Sequence, residues 1–191
     1  MENMPLKHYA CKRAYLTNGN LLKFLKENAE FIGEAQFTDY VFGSIDSDKD
    51  LLWVRHIQKN TWPSMKVGKF YPFYKAKIKW PSYFQIFEMP VGTPLRKCSS
   101  LEEAKSHLPG DLTLLFSFSR KTWEYKIDDL LIYVEEVEHI PMTIEVVCKT
   151  EKKSINKNMQ LVDNFLNQHK LSSTIPHQIA TLVRKKLGKN F

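Results

Sequence analysis

The chain has 191 residues, 43 % hydrophobic and 13 % aromatic, which is ample for a buried core and excludes a disordered or low-complexity protein. No apolar run approaches the roughly 20 residues that span a bilayer, and MENMPLKHYA lacks the apolar core of a signal peptide, so a cytoplasmic protein without a membrane span is expected. A formal charge of +7 points to acidic ligands without choosing among nucleotides, nucleic acid and a membrane surface, and three cysteines without CxxC spacing (Cys11, Cys98, Cys148) support neither a disulfide framework nor a zinc site.

In chain order, residues 6–16 read as a strand. NGNLLKFLKENAEFI then reads as a helix, with Leu21, Leu22, Leu25 and Ala29 on one apolar face behind a polar start. Strands are predicted over 34–43, 51–58, 69–79 and 82–89, separated by the turn signals SIDSDKD, NTWPS and KWPS. SSLEEAKSHL carries a Ser cap and acidic first turn and is ended by PGD. Three more strands are predicted over 112–125, 129–138 and 142–149. Beyond them INKNMQLVDNFLNQHKL and IPHQIATLVRKKL are helical in period, with an SST break between. The pattern predicts a single domain over 1–191 with a helical C-terminal segment over 152–191. Its class is α+β: about eight mostly antiparallel strands with peripheral helices, an arrangement that closes naturally into a barrel whose interior is lined by alternate residues.

Several stretches carry chemistry. In KAKIKW, Lys75, Lys77 and Lys79 share one face of a strand, opposite Ala76, Ile78 and Trp80; three like charges need water or an anion nearby, so the face is either solvated surface or a ligand lining. The run SRKTWEYKIDDLLIYVEEVEHIPMTIEVV sets Arg120 and Lys121 on one strand and Glu135 and Glu145 on the next two, which suits a polyphosphate and its metal ions. Aromatics from Phe70 to Phe87 interleave with lysines, either as a packed wall or as base-stacking platforms. His56 falls opposite Arg55 and reads as a packing or surface residue, and His8 is a lone histidine. Ser117 and Ser119 lack any partner that would activate a nucleophile. The basic LVRKKLGK reads as a solvated helix end complementing the dipole. No phosphate loop, dinucleotide turn or HExxH helix occurs.

The order of these motifs resembles the CYTH, or triphosphate tunnel, superfamily, which includes class IV adenylyl cyclases and thiamine triphosphatases. TDYVFGSIDSDKDLLWVRH is similar to its DxYFD segment and following arginine strand, matching Asp39, Tyr40, Phe42 and Arg55. KIKWP is similar to its lysine-x-proline strand end, matching Lys79 with Lys77 beside it. SRKTWEYKIDDLLIYVEEVEHIPMTIEV matches Arg120 to a basic ligand, Tyr125 to a hairpin aromatic, and Glu135 and Glu145 to acids of the last strands. The resemblance implies phosphate binding by Arg55, Lys77, Lys79 and Arg120, and a metal site of Glu88, Glu135 and Glu145. The implied ligand is a nucleotide triphosphate or inorganic polyphosphate, and the implied chemistry is triphosphatase or adenylyl cyclase. The first-strand ExExK is absent from KHYACKRAYL. With Arg13 at the lysine position its acids become Tyr9 and Cys11; with Lys12 there they become His8 and Ala10. Val147 stands where a second terminal acid is common. Binding of Mg2+ or Mn2+ is therefore expected to be weakened, and with it catalysis. The alternative is an inactive module of the same fold that binds nucleic acid or a protein partner. Oligomeric state stays open.

Overall fold

A computed structural model describes residues 8–17, 19–43, 52–60, 83–88, 93–150, 154–172, 175–176 and 178–188. These form eight strands and four helices: β1 (His8–Tyr15), α1 (Asn20–Asn28), β2 (Glu30–Gly43), β3 (Leu52–Asn60), β4 (Tyr83–Glu88), β5 (Thr93–Cys98), α2 (Leu101–Ser106), β6 (Thr113–Ile127), β7 (Leu130–Val137), β8 (Thr143–Thr150), α3 (Ile155–Gln168) and α4 (Ile179–Lys186). The α+β class, antiparallel pairing and helical C-terminus are those the sequence predicts. The strand expected over 69–79 lies outside the described residues. β5 was not expected; its TPLRKC offers a proline and two basic residues where strand signals are weak.

The chain divides into two compact units. Unit 1 comprises 1–32, 123–135 and 141–177, and unit 2 comprises 33–122, 136–140 and 178–191.

In unit 1 the hydrogen-bonded strand order is β1-β8-β7-β6. β6 and β7 join through Asp128-Asp129, with Asp128 at φ 47°, a left-handed conformation that Asp tolerates better than most residues. Alternation gives each strand two faces. One is apolar and builds the core: Ala10 and Ala14 of β1, Ile132 and Val134 of β7, and Ile144, Val146 and Cys148 of β8 pack with Leu21 and Leu25 of α1 and Val162, Phe165 and Leu166 of α3. α1 is shorter than the apolar periodicity suggests. Ala29 turns extended, its N–H capping Leu25 O at 3.0 Å, and from Glu30 the same run continues as strand.

In unit 2 the order is β6-β2-β3-β4-β5. Val41, Trp53, Phe116 and Phe118 pack with Ile179, Ala180 and Val183 of α4; Phe42, Val54, Ile86, Cys98 and Ala104 form a second cluster. α2 starts as its sequence dictates. Ser100 Oγ accepts from the Glu103 N–H at 3.0 Å, while the Glu103 carboxylate accepts from Ser99 N–H at 2.7 Å and Ser99 Oγ at 2.6 Å. β1 and β5 are the strands with one neighbour each among the described residues.

Candidate functional site

Unit 2 gathers two of the predicted phosphate ligands. Alternation puts Phe37, Asp39 and Val41 on one face of β2, and the β2–β3 register sets Asp39 opposite Arg55. Arg55 holds the carboxylate with both edges of its fork: Nε donates to Oδ1 at 2.6 Å and a terminal nitrogen to Oδ2 at 3.1 Å. From β6, Arg120 Nε lies 3.6 Å from the same Oδ2. Both guanidinium carbons lie over the Phe37 ring, 4.9 and 5.2 Å from its centroid, where the ring quadrupole favours a cation. Asp39 is fully buried, and the two arginine side chains are 13 % and 11 % exposed. Two guanidiniums thus share one buried carboxylate. Two residues along β6, about 7 Å by strand rise, Thr122 continues the face of Arg120. It is buried, and its Oγ1 has no hydrogen-bond partner among the described residues. Leaving a buried hydroxyl unsatisfied costs about 1–3 kcal/mol, so Thr122 marks a place suited to an acceptor that no described residue supplies.

Unit 1 gathers a second cluster, on the strand faces opposite its apolar core. The β1–β8 register sets Arg13 opposite Glu145, and β7–β8 sets Tyr133 opposite Glu145 and Glu135 opposite Thr143. Arg13 bridges the two glutamates. One terminal nitrogen donates to Glu135 and, at 3.2 Å, to Thr143 Oγ1; the other donates to Glu145 Oε2 at 3.0 Å. All four residues are buried. Burial alone would lower the Arg13 pKa, but the charges of Glu135 and then Glu145 outweigh it and raise it. A third buried acid, Glu124 of β6, accepts from the Tyr133 hydroxyl at 3.1 Å.

Glu135 and Glu145, predicted as metal ligands, thus do come together, but around an arginine. The arrangement does not fit a divalent ion, because both carboxylates are already engaged by a buried cation. Among the described residues no group of three or more His, Cys, Asp or Glu side chains is arranged to hold a metal. Glu88 closes β4 with its backbone opposite Leu52 of β3, and its side chain lies outside the described ones. Lys75, Lys77 and Lys79 fall outside the described residues, as does the side chain of His8. Lys121 turns to the face opposite Arg120, 3.8 Å from Glu34. Tyr125 joins the apolar core of unit 1. Ser119 is exposed and donates to Glu138. His56 has its pKa lowered by burial, in keeping with a packing role. In the first strand Arg13 shares a face with Cys11 and meets the acids, while Lys12 turns to the other face and pairs with Asp163 of α3.

Sequence reasoning missed Thr122 and Glu124 altogether and did not place Arg13 or Asp39 in a site. For Asp39 a signal was present: an acid at an inward position of a strand whose hairpin partner carries an arginine.

No family model matches the chain, and no curated protein matches it. Solved structures do. A candidate adenylate cyclase from Vibrio parahaemolyticus superposes with a TM-score of 0.64 at 11 % identity, over 95 % of this chain and 98 % of that one. A candidate adenylyl cyclase from Hippeastrum, whose dominant activity is that of a triphosphatase, gives 0.50 at 11 % identity over 96 % and 98 %. A chain of the Schizosaccharomyces pombe Mediator head module gives 0.52 at 9 % identity over 86 % and 94 %. The fold is of the CYTH, or triphosphate tunnel, type.

Proposed function

We propose that the chain binds a triphosphate-bearing anion, a nucleotide triphosphate or inorganic polyphosphate, through Arg55 and Arg120, and that triphosphatase or cyclase chemistry is weak or absent. The observation that carries this reading is the arginine pair converging on one buried carboxylate over Phe37. Arg55, aligned by Asp39, and Arg120 beside it supply charge-assisted donors to phosphate oxygens without the entropy cost of ordering free side chains. Thr122 supplies a neutral donor on the same face. The lysines predicted to join them, Lys77 and Lys79, extend the same proposal. Buried cysteines outside any disulfide, Cys98 and Cys148, suit a reducing, cytoplasmic setting.

A second reading is a binding module for a macromolecular partner. It is favoured by the engagement of Glu135 and Glu145 with Arg13, and by the likeness to a chain of the Mediator head module.

Calorimetry of tripolyphosphate and ATP in low salt separates the two. The anion reading expects binding that weakens as salt is added, and a loss of about 1–3 kcal/mol on Arg55→Ala or Arg120→Ala, the range of a charge-assisted bond. Folded protein that binds neither compound in low salt removes the anion reading and leaves the module.

A further inference from the structure

We propose that the Arg13 guanidinium is the resident cation of the buried acidic cluster of unit 1, taking the place of a divalent ion, so that this chain accepts polyphosphate as the free anion and not as a metal complex. The ligand half rests on the anion reading given above; the cation half stands on unit 1 alone.

Three observations support it. First, the cluster is acidic. Glu135 and Glu145 come from adjacent strands, both are at most 4 % exposed, and Thr143 adds a hydroxyl 3.5 Å from Glu135. Buried carboxylates need a cation, and oxygen donors of this kind suit a hard divalent ion. Second, a cation is built in. Arg13 spans Glu135 and Glu145 with donors on both terminal nitrogens and is itself 3 % exposed. A divalent ion drawing on the same two carboxylates would displace these bonds and meet a fixed like charge. Third, Arg13 does not yield by losing its proton, since its carboxylate neighbours raise its pKa. Among the described residues no other group is arranged for a metal, and Arg55 and Arg120 are the cations proposed to meet the charge of a bound polyphosphate.

The sign of the magnesium effect decides the ligand half. A protein that takes the free anion competes with Mg2+ for it, so tripolyphosphate binding measured in EDTA weakens about tenfold or more when Mg2+ is in excess; a metal-bridged complex instead tightens. Tightening by Mg2+ that is lost in Glu145→Gln overturns the proposal. Failure of tripolyphosphate to bind under either condition strikes the anion reading, and the cation half is then decided without phosphate. In paramagnetic resonance of Mn2+ alone, the natural chain leaves Mn2+ free. Arg13→Met binds one ion, and adding Glu145→Gln to that variant abolishes it. Mn2+ held by the natural chain and lost in Glu145→Gln, or no Mn2+ held by a folded Arg13→Met, overturns the cation half. Should Arg13→Met fail to fold, Arg13→Gln removes the charge while keeping an amide donor, and is read the same way.

Discussion

Replacing Arg13 by Met removes a guanidinium that bridges two buried carboxylates, and the loss should dominate the stability of unit 1. Breaking a buried ion pair by deleting one partner costs about 3–5 kcal/mol, because the survivor stays buried and uncompensated. Here Glu135 and Glu145 both lose the Arg13 guanidinium, and Thr143 Oγ1 loses its donor as well. With a urea slope of about 2 kcal/mol per molar, the midpoint should fall by roughly 1.5–2.5 M. A companion variant, Arg13→Met with Glu135→Met and Glu145→Leu, removes charge and countercharges together and should regain most of the loss, since an apolar replacement of a buried ion cluster is often neutral or stabilising. The pH dependence follows from the same charges. Buried carboxylates without this cation have folded-state pKa values above their unfolded ones, so the single variant gains stability as pH falls and the gap to the natural chain narrows from pH 8 towards pH 5. Chemical denaturation at the two pH values measures both effects. A single variant that loses less than about 1 kcal/mol, the range of exposed pairs, would refute the argument that Arg13 is a buried bridging cation.

Two further outcomes are expected. Thr122→Val should leave stability unchanged or slightly higher, because it removes a buried hydroxyl with no partner among the described residues, yet it should weaken tripolyphosphate binding; thermal unfolding and calorimetry on the same sample check the pair of signs. His169 caps α3 between Phe24 and Phe165, ring centroids 4.5 and 4.6 Å away, and burial lowers its pKa. Its folded pKa lies below its unfolded one, so the stability it contributes is complete above the unfolded value near 6.5 and is lost as pH falls below that. His169→Leu should flatten the melting temperature between pH 7.5 and pH 5.5, and an unchanged slope would count against it.

Much of this architecture is legible in alternation and caps. The two faces of β2, the Ser100 cap of α2, and the convergence of Arg55 with Arg120 and of Glu135 with Glu145 all follow from a period of two and from resemblance to a known motif order. What escaped was set by partners distant in sequence. WEY reads as one more mixed strand segment, and only the Tyr133 hydroxyl across the hairpin shows why Glu124 can be buried. Thr122 is an ordinary strand residue until its neighbours leave it without a bond. The first-strand register was undecidable from KHYACKRAYL alone, because Lys12 and Arg13 are both basic. α3 offers Asp163 to Lys12, and the acids of β7 and β8 enclose Arg13. β5 went unseen because Pro94 and two basic residues argue against a strand, yet they are tolerated where β4 is its one neighbour among the described residues.

The pairing of β1 with β8 also sets a schedule for synthesis. Arg13 and Glu145 are 132 positions apart, an interval that a ribosome adding about 5–20 residues per second takes roughly 7 to 26 s to cover. For that time β1 has left the ribosome without its ladder partner, presenting open backbone hydrogen bonds and a guanidinium whose countercharges are not yet made. Unit 1 is assembled from three separate stretches of chain and is complete only once the last of them is translated, while the longest continuous stretch of unit 2 is already outside. An emerging strand of this kind is a natural client for chaperones. Its buried arginine then has a second consequence: until Glu135 and Glu145 arrive, the charge keeps β1 in water and discourages it from pairing with the edge of another nascent chain.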